Sequence, residues 1–202
     1  MSLIEFDKAF FSERCRTICG VDEAGRGPLA GPVVAAAVVF DESISMEGVN
    51  DSKKLKEDIR ERLFVEIHEK AVSVGVGIVD HATIDRINIL GATHMAAKKA
   101  LKQLREQPPL ILTDYLKLKR LSSPVRYFKS GDSRSHVIAA ASIIAKVTRD
   151  RIMRDYHKKY PEYNFAQNKG YGTQAHLAAL LKYGPCPIHR LTFNGTTRQS
   201  FL

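Results

Sequence analysis

Cysteine is scarce in this chain of 202 residues: there are three, Cys15, Cys19 and Cys186. An odd and sparse set builds no disulfide framework. Cys15 and Cys19 stand four apart, which fits neither a zinc nor a redox motif, so buried thiols are expected. No pair among the seven histidines has the spacing of a helical zinc site. Long apolar runs are missing too. The longest, Val33 to Phe40, is far too short to span a membrane. Met1 to Lys8 lacks a basic segment followed by an apolar run, so no secretory signal is read there and a cytoplasmic protein is expected. There are no internal repeats and no low-complexity tract. Acidic residues are in deficit, 22 Asp plus Glu against 31 Lys plus Arg, for a net charge of +9. That balance fits a polyanionic partner, because neutralising phosphates drives much of nucleic-acid binding.

What is present is organised around Gly20-Val21-Asp22-Glu23-Ala24-Gly25-Arg26-Gly27-Pro28-Leu29-Ala30-Gly31-Pro32. Apolar residues flank it on both sides and predict a strand over 17–23, a turn, and a second strand over 33–40, buried on both faces. Side chains alternate along a strand, so Asp22 and Glu23 should point to opposite faces. Convergence on one ion would need a bend, which Gly25 and Gly27 permit.

Further along, residues 2–14 offer an amphipathic lead-in. Asp51-Ser52 supplies an N-cap for a helix striped by Leu55, Ile59, Leu63 and Ile67, which puts Lys53 and Lys54 at its start. Cations are unfavourable there, and a phosphate partner would account for them. Alternation over 72–79 predicts a third strand. A helix follows over 88–104, with Ile87, Leu90, Met95, Leu101 and Leu104 mainly inward. A short apolar strand over 110–114 ends in Asp114, and a fifth runs over 125–129. Between them lies a basic loop with Lys117, Lys119 and Arg120. Asp132 precedes a long helix over 135–160, apolar and alanine-rich in its first half and stopped by Pro161. Tyr171 stands between Gly170 and Gly172, which gives its ring little local packing and presents it outward. A last helix covers 173–183, and from Asn194 a polar tail is expected to be mobile. The order is β-β-α-β-α-β-β-α-α. The length suits one domain, 1–202, with 155–202 as a C-terminal helical segment and tail.

The stretch at 20–32 closely resembles the DEAGRG signature of ribonuclease HII, the type 2 ribonuclease H. Asn50-Asp51-Ser52-Lys53-Lys54-Leu55, Gly131-Asp132, the run from Ile138 to Asp150, Lys169-Gly170-Tyr171-Gly172-Thr173 and Gly184-Pro185-Cys186-Pro187-Ile188-His189-Arg190 are similar to that family in the same order. The resemblance implies an α/β fold, a ribonuclease H-like mixed sheet flanked by helices with a helical C-terminal part. It implies that Asp22, Glu23, Asp114 and Asp132 are the catalytic, metal-binding acids. One departure stands out: a glycine usually follows the third acid, and here Tyr115 does. The implied reaction is cleavage of RNA strands in RNA–DNA hybrids and of duplex DNA at embedded ribonucleotides, leaving 5′-phosphate and 3′-hydroxyl ends. Gly25, Arg26, Gly27 and Tyr171 would bind at the ribonucleotide-to-DNA junction, with Lys53 and Lys54 on phosphates.

The residues themselves favour the same chemistry. Carboxylates without histidine or cysteine partners select hard ions such as Mg²⁺ or Mn²⁺. Two such ions can activate water and stabilise a leaving oxygen. A noncatalytic nucleic-acid-binding protein is the opposing reading, and four acids that repel phosphate speak against it. Another two-metal nuclease, such as a junction resolvase, is the alternative among enzymes. The terminal Gln199-Ser200-Phe201-Leu202 is a candidate docking segment for a sliding clamp.

Overall fold

The computed structural model describes residues 2–196. In chain order it contains α1 (Leu3–Lys8), β1 (Thr17–Ala24), β2 (Val33–Asp41), α2 (Glu57–Lys70), β3 (Ser73–Val79), α3 (His81–Lys102), β4 (Ile111–Asp114), β5 (Val125–Phe128), α4 (His136–Lys159), α5 (Phe165–Asn168) and α6 (Gln174–Tyr183). The strands form one mixed sheet in the order β3-β2-β1-β4-β5. β1, β2 and β3 pair antiparallel, while β4 runs parallel to β1 and β5 parallel to β4. α2 lies between β2 and β3, as the residue pattern requires.

Alternation explains the layering. Ala36, Val38 and Phe40 of β2 pack on one face with α2 and α4; Val33, Ala35, Ala37 and Val39 pack on the other with α3. The small residues of α4 let it lie directly on β1. A Cβ at Gly20 would stand 2.2 Å from the Val137 carbonyl oxygen, so only glycine admits the helix there. A third apolar cluster joins Leu29 and Ala30 to Met153, Phe165, Leu180 and Ile188 at the C-terminal end. No helix among the described residues is long and apolar enough to cross a membrane.

Three expectations are corrected. Asp51-Ser52 does not cap α2: the helix starts at Glu57 after Lys56, with no side-chain cap. The Asp51 carboxylate accepts from the Lys53 amide instead, a local turn that competes with helix. The Arg60 guanidinium then pins that turn through the Ser52 carbonyl. Lys53 and Lys54 are therefore not at a helix N-terminus. α3 begins at His81, capped by Asp80, and breaks at Asn88, whose φ of 61° is non-helical. Leu90 and Met95 face outward; Ala92, Ala96, Ala97 and Ala100 face the sheet, because α3 lies close over Gly75 and Gly77. Finally, Thr196, expected in a mobile tail, is buried.

Candidate active site

β1 and β4 run parallel in register, Val21 beside Thr113, so their carboxyl ends deliver Asp22 and Asp114 to the same edge of the sheet. Ile18 and Gly20 face α4, and Asp22 follows them with period two. Glu23 shares the opposite face with Cys19 and Val21. β1 stays paired with β2 through Ala24, and the turn begins only at Gly25, where φ is +96°. No bend intervenes between the two acids. Both still line one cleft of about 620 Å³, because the cleft wraps the strand end. Gly25, Arg26, Gly27, Ser52, Lys53, Asp114, Ser142, Lys146, Arg149 and Tyr171 share that lining.

Asp22 Oδ1 accepts from the Glu23 amide at 2.8 Å. Asp114 Oδ1 accepts from the Gly131 amide at 2.7 Å, which ties β4 to the short turn Gly131–Ser133 that carries Asp132. The Asp132 carboxylate meets Lys53 Nζ at 3.5 Å, and Glu23 meets Arg26 at 3.1 Å. Lys54 does not line the cleft; its ammonium stands 3.9 Å from Asp51. Lys117, Lys119 and Arg120 do not line it either. Lys117 sits 4.7 Å over the Tyr127 ring, and Arg120 turns to a separate groove with Lys98, Lys102 and Arg105.

The electrostatics are those of acids crowded out of water. Burial, then Glu23 and Asp114, push the Asp22 carboxyl well above its ordinary value. Burial also raises Glu23, against the pull of Arg26, and raises Asp114, against the Gly131 amide. Burial acts to lower Lys53, but Asp132, Asp22 and Asp51 together outweigh it and hold its ammonium above the usual range. Glu23 Oε2 is buried without a hydrogen-bond partner among the described residues. An orphaned carboxylate oxygen among mutually repelling acids fits a hard divalent cation. Among the described residues no three His, Cys, Asp or Glu side chains converge on one point.

Tyr115 occupies the position where the resembled family usually has glycine, and its φ is 53°. The left-handed backbone explains a glycine there. A tyrosine holds it at a cost of about 1 kcal/mol, with its amide bonded to the Phe128 carbonyl at 2.8 Å. Tyr171 is 45% exposed, and its ring lies 3.6 Å from where a Cβ on Gly27 would be. Its own carbonyl accepts from His176 Nδ1 at 2.9 Å. His176 Nε2 in turn meets His189 Nε2 at 2.9 Å, and the Cys186 amide donates to His189 Nδ1. Both rings must be neutral and single tautomers for this relay to close. Burial and His176 keep His189 neutral, with a pKa lowered to about 4.

Sequence reasoning missed Ser142, which meets Ser52 at 2.8 Å beneath Asp22, and also Lys146 and Arg149. The available signals are the lone polar residue that Ser142 makes in its apolar run and, for Lys146 and Arg149, their place in the family-like run from Ile138 to Asp150.

A family model described as ribonuclease HII matches residues 19–196. The ribonuclease HII of Ruminiclostridium cellulolyticum is 53% identical over 191 residues, 95% of this chain and 75% of that protein. Among solved structures, the ribonuclease H2 of Pyrococcus horikoshii OT3 is similar with a TM-score of 0.77 at 31% identity, over 91% of this chain and 96% of that one. A chain of the PCNA:RNase HII complex from Archaeoglobus fulgidus is similar with a TM-score of 0.70 at 25% identity, over 86% and 92%.

Proposed function

The chain belongs to the ribonuclease HII family and is an endoribonuclease of the ribonuclease H type, and on that premise we propose that it cuts the RNA strand of RNA–DNA hybrids and cuts duplex DNA 5′ of embedded ribonucleotides. The products carry 5′-phosphate and 3′-hydroxyl ends, and the role is removal of ribonucleotides and primers from DNA. The observation that carries this reading is the meeting of Asp22, Glu23 and Asp114 in one cleft, with Asp132 tied to it through Gly131 and Lys53.

In this reading Asp22, Glu23, Asp114 and Asp132 hold two divalent ions, Mg²⁺ or Mn²⁺. Such ions supply an activated water and stabilise the leaving oxygen. The chain's own residues do the positioning. The amides of Arg26 and Gly27 approach the ribose, and the 2′-hydroxyl is the group that distinguishes RNA from DNA. Tyr171 stacks on the DNA side of the cut. Lys53 takes a phosphate, releasing Asp132. The test is a labelled DNA duplex with one ribonucleotide, incubated with and without Mg²⁺. One cut on the 5′ side, abolished by EDTA, is expected. Undiminished cutting after exhaustive EDTA treatment, or binding with no cut under any divalent ion, refutes the reading.

The basic loop is proposed to meet phosphates beyond the cleft. Removing Lys117, Lys119 and Arg120 together should flatten the slope of log affinity against log salt by up to about three units. An unchanged slope takes the loop out of the interface.

A sliding clamp is proposed as a partner of the tail Gln199–Leu202, which lies outside the described residues. The support is the motif and the archaeal relative seen with PCNA. A chain ending at Thr197 should lose clamp binding in a pull-down; equal binding dismisses the tail.

A further inference from the structure

Two arginines, Arg149 and Arg190, are 1% and 0% exposed, yet neither makes an ion pair among the described residues. Their partners are main-chain carbonyls of the loop that joins β1 to β2. Arg190 donates from Nε to Gly31 at 3.0 Å, from Nη1 to Arg26 at 3.0 Å, and from Nη2 to Gly25 at 2.6 Å and Pro32 at 3.2 Å. Arg149 donates to Pro32 at 3.1 Å and Ala30 at 3.2 Å, and across to Lys169 at 2.9 Å. Burying a guanidinium without a carboxylate is costly. Burial lowers Arg149 to about 10, and burial with the charge of Arg149 lowers Arg190 to about 9. The fold keeps both charges where neutral residues would pack more cheaply.

The peptide plane shows what Arg190 achieves. Every peptide bond here is trans, so the N–H and C=O of one plane point in opposite directions. The Gly25 carbonyl shares its plane with the Arg26 amide, and the Arg26 carbonyl with the Gly27 amide. Arg190 draws both carbonyls inward. The amides of Arg26 and Gly27 are thereby turned the other way, on a stretch that lines the cleft beside Tyr171. Neither amide donates to a protein acceptor among the described residues.

We infer that Arg190 is a positioning residue for sugar specificity: it aims the Arg26 and Gly27 amides at the 2′-oxygen of the ribonucleotide, and so sets the preference for ribose over deoxyribose. This rests on the reading of the cleft as the ribonucleotide site. Arg190 does not touch the substrate; it acts through the loop.

The test is a cycle that crosses the protein change with the loss of one substrate atom. Wild type, Arg190→Gln and Arg190→Lys are compared on a DNA duplex with one ribonucleotide and on the same duplex all-DNA, with affinities measured in EDTA and cleavage in Mg²⁺. Wild type should prefer the ribonucleotide duplex. In Arg190→Gln that preference should shrink by about tenfold, the worth of one to two hydrogen bonds, and cleavage should fall with it. Affinity for the all-DNA duplex should stay within about twofold of wild type, a split that general loosening would not produce. Arg190→Lys, with the charge but not the fork, should fall between them, and it serves if Arg190→Gln is not folded. A folded variant that keeps the wild-type preference, or loses both affinities equally, overturns the assignment of Arg190. A wild type that binds both duplexes equally sinks the reading of the cleft and this inference with it.

Discussion

Asp22→Asn is expected to lower turnover on an embedded ribonucleotide by about a thousandfold, near 4 kcal/mol at about 1.4 kcal/mol per decade, while the chain stays folded. Asp22 is buried against α4 and stands level with Asp114 across the β1–β4 pairing. Asparagine has nearly the same shape. Its carbonyl can still accept from the Glu23 amide, and its amide faces a cleft that Ser142 also lines. What disappears is one negative charge among the donors proposed for the divalent ions. The stability change should have the opposite sign to the activity change. Asp22 has a folded pKa raised above its unfolded value, mainly by burial. The native protein therefore keeps its full stability only below the unfolded pKa of about 4 and loses some as pH rises through the folded one. Asparagine never ionises. Without added metal the variant should melt higher at neutral pH, by about 2–4 °C for each kcal/mol relieved, and the gap should close as pH falls towards about 4. Near-normal turnover at saturating Mg²⁺ would remove Asp22 from the site. A melting difference that does not depend on pH would remove the burial argument.

Tyr171→Ala should cut activity on a single embedded ribonucleotide by roughly ten- to a hundredfold, because stacking on an aromatic face is worth about 1–3 kcal/mol. The ring is half-exposed beside Gly27, and the Arg149 guanidinium stands 5.9 Å from its centre. Among the described residues its hydroxyl makes no hydrogen bond, whereas its main chain is tied down by His176 and Asn168. The backbone is thus held independently of the ring, so the truncation should leave the melting temperature nearly unchanged. Tyr171→Phe keeps the face and should keep most of the activity. A uniform RNA–DNA hybrid has no junction to read, and its loss should be no larger. The alternative is a ring that plugs the loop. It predicts a melting point several degrees lower for Tyr171→Ala, and it is also favoured if Tyr171→Phe is as inactive as Tyr171→Ala.

Much of this was written in local pattern. Val33 to Phe40 reads as a strand buried on both faces and is one. The alanine-rich half of α4 reads as a helix that can closely approach the sheet or another helix, and the sheet takes that contact at Gly20. Asp22 and Asp114 read as acids at strand ends, and the parallel pairing of β1 with β4 sets them side by side. The start of α2 escapes local pattern because the Asp51 carboxylate can cap a helix or close a turn, and Arg60 favours the turn. The inward face of α3 escapes it for a related reason. Large apolar residues predict the buried side of a helix, but close passage over glycines leaves room only for alanine.

The sequence by itself determined the family, the order of the elements and which acids stand at strand ends, because alternation, helical period and motif spacing are properties of neighbours along the chain. Only the tertiary structure decided that Asp22 and Glu23 share a cleft from opposite faces of an unbent strand. It alone decided that Lys53 and not Lys54 reaches that cleft, and that the loop's carbonyls are bound by an arginine far away in sequence. Arg190 lies 159 residues beyond the Gly31 carbonyl that it binds. A buried carbonyl must find a donor, but nothing in the residues next to it says which of the chain's many cations will be folded into reach.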